Sequence, residues 1–205
     1  MTSKPPFFWD VRYAGDAYLF GVTPNAFLTA QAGRLERGAS VLAVADGEGR
    51  NGVWLAEQGL EVLSIDASPV AQEKAAKLAK QRGVSLQLEC VDLETWTFPI
   101  AQFDVVAAIF VQFAGPDLRT RMFDGMKRAL KPGGLLLLEG YGPRQLEYRT
   151  GGPPNLENLY TEAMLLEAFG DLQIVELRSY DSEIEEGVGH KGMSALVDLV
   201  AVKPR

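Results

Sequence analysis

Apolar residues in this chain recur in two alternating forms: short unbroken runs, and longer stretches with helical spacing. The runs SVLAVA (40–45) and LEVLSID (60–66) predict strands buried on both faces, and SLQLECVD (85–92), FDVVAAIF (103–110) and GLLLLEGY (134–141) predict three further strands. Between them, RNGVWLAEQG, SPVAQEKAAKLAKQRG and PDLRTRMFDGMKRAL predict helices. Ser68 caps the second, with Pro69 at its first position and Gly83 as its stop. Met122, Met126, Ala129 and Leu130 form the apolar stripe of the third, which ends at Lys131-Pro132-Gly133-Gly134. Upstream, TPNAFLTAQAGRLERG predicts a helix over 23–38, capped by Thr23 with Pro24 first and Gly38 last. Downstream, TEAMLLEAFG predicts a last helix, and DLQIVELRSYDSEIEE and MSALVDLVAV two closing strands joined by EGVGHKG.

Strands alternating with helices imply right-handed βαβ units, while two closing strands without a helix between them imply an antiparallel hairpin. The expected fold class is therefore α/β: a Rossmann-like three-layer sandwich whose seven-stranded, mostly parallel sheet ends in that hairpin. No repeat or linker divides the chain, so one domain spans 1–205, with an aromatic arm and helix over 1–38 and the Rossmann-like core over 39–205.

Composition changes this picture little. An apolar content of 47% suits a globular chain, and a net charge of −7 without a dense basic run argues against a nucleic-acid partner. Cys90 is the only cysteine, which excludes an intrachain disulfide. The sequence shows no signal-peptide pattern and no run fit for a membrane span, so a cytoplasmic protein without membrane contact is expected.

The candidate chemistry sits in Gly47-Glu48-Gly49-Arg50-Asn51-Gly52, a G-x-G-x-x-G turn after the first core strand, with Asp66 ending the next. Such a turn brings backbone and helix N–H groups to a ligand, and the distal acid accepts from ribose hydroxyls. An adenosine-containing ligand is expected. Asp46 and Glu48 would repel a pyrophosphate by about 3 kcal/mol per pair of charges about 5 Å apart before screening, unless they are solvated loop charges pointing away. A phosphate-free, cationic ligand such as S-adenosylmethionine meets no such penalty.

VLAVADGEGRNGVWLA resembles the first motif of class I S-adenosylmethionine-dependent methyltransferases, DLETW their adenine-contacting segment, and LKPGGLLLLEGY their helix-to-strand signature. The arm FFWDVRYAGDAYLFGVTPNAFL and the tail EIEEGVGHKG resemble the small-molecule branch that includes tellurite-resistance and thiopurine methyltransferases. Two positions depart from the pattern. Ala45 replaces the usual first glycine, tolerable if its φ stays negative, and Ala43 replaces a common acid, for which Asp46 is the candidate partial substitute.

The resemblance implies S-adenosylmethionine as cofactor, S-adenosylhomocysteine as product and a small-molecule acceptor, with a soft nucleophile (thiol, selenium or tellurium species) expected; the sequence beyond the fourth strand has no Asp/Asn/Glu cluster that would cage Mg²⁺, so no metal is expected. It implies that Asp46, Gly47 and Gly49 line the methionine portion and that Asp66, beside Ala67, takes the ribose. Asp92 and Leu93 would read adenine, and Ile109 and Phe110 would border the methyl, against readings as a turn cap and as plain core packing. The arm rings Phe7, Phe8, Trp9, Tyr13, Tyr18 and Phe20 imply a lid, with Trp9 and Tyr18 as its preferred contacts. Tyr141, Arg144 and Gln145 flank the acceptor, Arg144 to steer an anion unless it is a surface residue. His190, the only histidine, is the candidate base unless it caps its loop, with Glu186 to orient it.

FVQFAGP stands where amino-methylating DNA enzymes carry an Asn/Asp-Pro-Pro-aromatic grip, and it contains no cysteine nucleophile. An NAD(P)-dependent oxidoreductase remains an alternative, although no Tyr-x-x-x-Lys pair is present; a protein that binds the methyl donor without catalysis is another.

Overall fold

The structure, a computed structural model, describes residues 8–205. Phe7 of the aromatic arm lies outside the described residues. The strands are β1 (Ser40–Val44), β2 (Glu61–Asp66), β3 (Gln87–Cys90), β4 (Phe103–Ile109), β5 (Leu130–Tyr141), β6 (Gln173–Glu186) and β7 (His190–Val202). They form one sheet in the order β3-β2-β1-β4-β5-β7-β6. Pairing is parallel from β3 through β5 and antiparallel for β5–β7 and β7–β6. This is the expected three-layer α/β architecture with its closing hairpin.

The helices are α1 (Phe8–Tyr13), α2 (Ala26–Ala30), α3 (Arg50–Glu57), α4 (Pro69–Arg82), α5 (Pro116–Ala129), α6 (Gln145–Tyr148) and α7 (Glu162–Phe169). Alternate side chains of the central strands feed separate cores because successive residues of a strand face opposite ways. Leu42, Val44, Leu136 and Leu138 pack with Met122 and Met126 of α5 and Leu165 and Phe169 of α7. Val41, Ala43, Leu135 and Leu137 pack on the other face with Phe27 and Leu28 of α2 and Leu55 of α3. Unbroken apolar strands are what two such cores demand.

The segment 23–38 departs from the expected helix. Asn25, not Thr23, is the cap: its side chain accepts from the Leu28 N–H at 2.9 Å, and α2 ends at Ala30, followed by a 3-10 turn over Ala32–Arg34. Asn25 is buried, and its amide donates to Glu139 at 2.6 Å and Glu186 at 3.0 Å, so tertiary contacts fix where α2 starts. Lys131–Gly134 likewise joins β5 rather than only ending α5, with a register shift against β4 and a positive φ of 81° at Gly133.

The topology leaves a crevice at the carboxyl ends of the strands between β1 and β4, where the order reverses. The arm and the hairpin tip close over it. Gly189 N–H donates to Leu19 O at 3.1 Å, and a Cβ on Gly187 would stand 2.4 Å from Gly21 N, so only glycine lets the tip sit this close to the arm. Among the described residues no helix is long and apolar enough to cross a membrane.

Candidate functional site

The carboxyl ends of β1, β2, β3 and β4 open into one cavity of about 600 Å³. The turn after β1 forms its floor. Ala45 follows the strand with φ 49°, so the condition under which alanine is tolerable there, a negative φ, is not met. A non-glycine residue in this region is strained by about 1 kcal/mol or more. Replacing Ala45 with Gly is expected to stabilise the fold by about 1 kcal/mol, read as a higher urea midpoint at unchanged slope.

The two acids of the turn do not present fixed charges to a ligand. The Asp46 carboxylate accepts from Gly52 N–H at 3.1 Å and Ser64 Oγ at 2.8 Å, pinning the start of α3. Burial pushes its pKa up to about 7, against the hydrogen bonds from Ser64 and Gly52. Asp46 lines the cavity, but its carboxylate serves the turn. Glu48 points away altogether: its oxygens accept from Leu19 N–H at 2.7 Å and Lys74 Nζ at 2.7 Å. The charge argument against pyrophosphate therefore loses its basis, because Lys74 neutralises the acid outside the cavity.

Gly47 lines the cavity; Gly49 does not. Gly49 has φ 85°, and a Cβ there would lie 2.6 Å from Ala75 Cβ, so this glycine serves the packing of α3 on α4.

Asp66 ends β2 at the cavity wall, 7% exposed. One oxygen accepts from Gly47 N–H at 2.9 Å and the other from Ser68 N–H at 2.8 Å. Burial raises its pKa while those bonds oppose the shift. Both oxygens are held in place, and each keeps a lone pair for a diol. Ala67, Asp92, Leu93 and Glu94 continue this wall. Asp92 is exposed and accepts from Glu94 N–H at 2.9 Å, so it caps its turn as well as lining the cavity.

At the opposite end, Ile109 and Phe110 close β4, and Phe110 has φ 56° with its N–H on Glu139 O at 2.8 Å. The Phe110 ring lies 4.6 Å from Tyr141 and 4.4 Å from His190, and His190 lies 4.4 Å from Phe20. Trp9, Tyr13 and Phe20 bring the arm into the cavity, with Trp9 stacked on Tyr13 at 5.6 Å.

His190 is buried, with Nδ1 3.9 Å from Glu186 Oε2 and no hydrogen-bond partner among the described residues. Burial lowers its pKa, and the charge of Arg50 adds to this against the pull of Glu186, so the ring is neutral at pH 7. Burial would raise Glu186, yet facing His190 and Arg50 hold it at about 2. With Nδ1 turned to Glu186 and the ring lining the cavity, Nε2 is the nitrogen left for a ligand. Tyr141 is buried and its hydroxyl has no partner among the described residues; burial, then the nearby carboxylates, raise its pKa and keep it protonated.

Two further expected contacts lie elsewhere. Tyr18 donates to Lys74 O at 3.0 Å and packs beside Val53 and Leu78, outside the cavity. Arg144 is a surface residue paired with Asp181 and Tyr148, outside the cavity. The arginines of the cavity are Arg12, exposed at its mouth, and Arg50, buried on Glu186 at 2.6 Å, which the sequence reading missed although it stands inside the glycine motif. Gln112 and Asn158 were also missed. Gln112 donates to Tyr141 O at 2.8 Å and Asn158 O at 3.0 Å, holding the segment Gly151–Asn158 against the cavity.

Residues 41–134 match a family model described as a methyltransferase domain. Over those residues the chain is similar to that family. Its fold is shared at a TM-score of 0.72 with TehB from Haemophilus influenzae, at 16% identity over 96% of this chain and 66% of that one. A methyltransferase from Methanosarcina mazei, named as S-adenosylmethionine-dependent, gives 0.70 at 19% identity over 89% and 99%. A structure concerned with converting a disulfide bond into a thioacetal group during echinomycin biosynthesis gives 0.79 at 18% identity over 96% and 90%. The resemblance to class I methyltransferases that the motifs carry is thus borne out, TehB included. Uncharacterized proteins of Mycobacterium bovis and Mycobacterium tuberculosis are 34% identical over 100 residues, which is 48% of this chain. The match spans 36% of the length of those curated relatives.

The cavity suits the methyl donor on its own geometry. A fixed, buried carboxylate stands at the end of β2, a turn with Asp92 and Leu93 follows β3, and an aromatic wall begins at the end of β4.

Proposed function

We propose that this protein methylates a small-molecule acceptor with S-adenosylmethionine as donor. The observation that supports the reading is the single cavity joining the Asp66 wall to the box of Phe20, Phe110, Tyr141 and His190. When bound, the cofactor supplies a methyl carbon made electrophilic by its sulfonium. Asp66 accepts from the ribose hydroxyls, the Asp92–Leu93 turn borders adenine, and Gly47 lets the backbone come close to the methionine portion. Trp9, Tyr13 and Phe20 act as the lid over residues 39–205, excluding water from a displacement that depends on alignment.

His190 takes the acceptor's proton at Nε2 as the new bond to carbon forms, and Glu186 steadies the resulting imidazolium through Nδ1. A soft nucleophile remains the acceptor of choice; a thiol or selenol suits this arrangement because its proton has a place to go. No protein cysteine is placed to act, since Cys90 lies on the exposed edge at β3.

His190→Gln tests the assignment. The rate constant for transfer is expected to fall about 100-fold while S-adenosylhomocysteine affinity stays unchanged. The wild-type rate should rise with pH through a midpoint below 6.5, because burial lowers the pKa of the base, and the variant should lose that limb. An unaltered pH profile in the variant would remove His190 from the proton transfer.

A further inference from the structure

The acceptor end of the cavity does not stop at its mouth. Phe8 and Phe113 line it and are nevertheless 64% and 40% exposed. Leu156 directly follows the lining residue Asn155 and is 60% exposed; Val188 directly precedes the lining residue Gly189 and is 84% exposed. Two large exposed apolar side chains, from the arm and the β4–α5 loop, thus line the opening, and two more adjoin lining residues in sequence, one before α7 and one at the hairpin tip. Exposed apolar rings at the mouth of an aromatic-lined cavity mark a binding surface rather than scattered exposure.

The charges point the same way. Arg50, inside the cavity, is already bonded to Glu186 at 2.6 Å, and Arg12 lies over the rings of Phe8 and Trp9 at 5.8 and 5.0 Å. Asp66, Asp92 and Glu94 line the donor end, and buried Glu139 and Glu186 meet at Asn25 near the acceptor end. Among the described residues the buried cation of the lining, Arg50, is committed to Glu186, and the other lining cation, Arg12, stands exposed at the mouth over Phe8 and Trp9, so an oxyanion in the aromatic box would have no uncommitted buried cation beside it.

From this combination we infer that the acceptor is an uncharged, largely apolar molecule longer than the cavity, which inserts one X–H group into the aromatic box and rests its body on the apolar rim. The inference rests on the methyl-donor reading of the other end of the cavity. It sets an apolar acceptor above small oxyanions such as tellurite, and it gives Leu156 and Val188 a role in selecting the substrate rather than in the reaction.

The test uses the full chain saturated with S-adenosylhomocysteine, which prevents turnover, and calorimetric titration with benzenethiol, 4-butylbenzenethiol and tellurite in mildly acidic buffer, where both thiols are uncharged. The butyl compound is expected to bind at least about tenfold more tightly than benzenethiol, since its added methylenes leave water for the rim. The double variant Leu156→Asp/Val188→Asp should lose that advantage while keeping its affinity for S-adenosylhomocysteine and benzenethiol. Tellurite should give no binding heat. Equal affinity for the two thiols, an unaffected double variant, or tellurite binding as tight as the thiols would overturn the inference while leaving the donor reading intact. Failure of S-adenosylhomocysteine itself to bind would instead overturn the donor reading, and this inference with it.

Discussion

Asp66→Ala is expected to lower the affinity for S-adenosylmethionine at least about 100-fold, measured by equilibrium dialysis with labelled cofactor. Two effects combine. The variant loses the carboxylate that would accept from the ribose, where hydrogen bonds to a charged group contribute about 1.5–3 kcal/mol each. It also leaves Gly47 N–H and Ser68 N–H without the acceptor that fixes them at 2.9 and 2.8 Å, loosening the turn itself. Asp66→Asn keeps one acceptor oxygen and should fall between wild type and Asp66→Ala. Unchanged affinity in both variants would show that the β2 terminus does not read the ribose.

The largest expected loss of stability is at Arg50. Its guanidinium and Glu186 are both under a tenth exposed and 2.6 Å apart. Removing one partner leaves the other charge buried and uncompensated, which costs about 3–5 kcal/mol. Arg50→Met should therefore unfold in urea at a markedly lower midpoint, and the double variant Arg50→Met/Glu186→Leu should recover most of the loss. The pH dependence follows in sign. Glu186 is held at about 2, below its ordinary 4.5, so its contribution is full above 4.5 and is lost as pH falls toward about 2. In Arg50→Met the depressing charge is gone, and the acid-side loss should begin at higher pH. A single variant as stable as wild type would mean that the pair is not a structural hub.

That hub also explains which parts of the molecule were legible in the sequence. The seven strands and the closing hairpin followed from local signals: apolar runs for strands that feed two cores, and Ser68-Pro69 and Gly83 at the ends of α4, where Ser68 Oγ accepts from Ala71 N–H. The start of α2 did not, because Asn25 caps it while also bridging Glu139 and Glu186, which lie 114 and 161 positions away. Charge direction was equally hidden. Glu48 looked like a ligand-facing acid, yet Lys74, 26 positions on, draws it to the far side of the turn. Tyr18 and Arg144 carried the right chemistry, but their polar atoms are directed to Lys74 O and Asp181 outside the cavity. Arg50 could have been flagged: a basic residue inside a glycine turn and an acid beside a lone histidine are complementary, although only the fold brings them together over 136 positions.

The central claim is that this cavity holds an adenosyl methyl donor. Calorimetric titration of the purified wild-type chain with S-adenosylhomocysteine, and separately with NADH, tests it most directly. Micromolar binding of S-adenosylhomocysteine at one site per chain, with no heat from NADH, is the predicted result. Binding of NADH without S-adenosylhomocysteine would contradict the account and return the glycine turn to a dinucleotide.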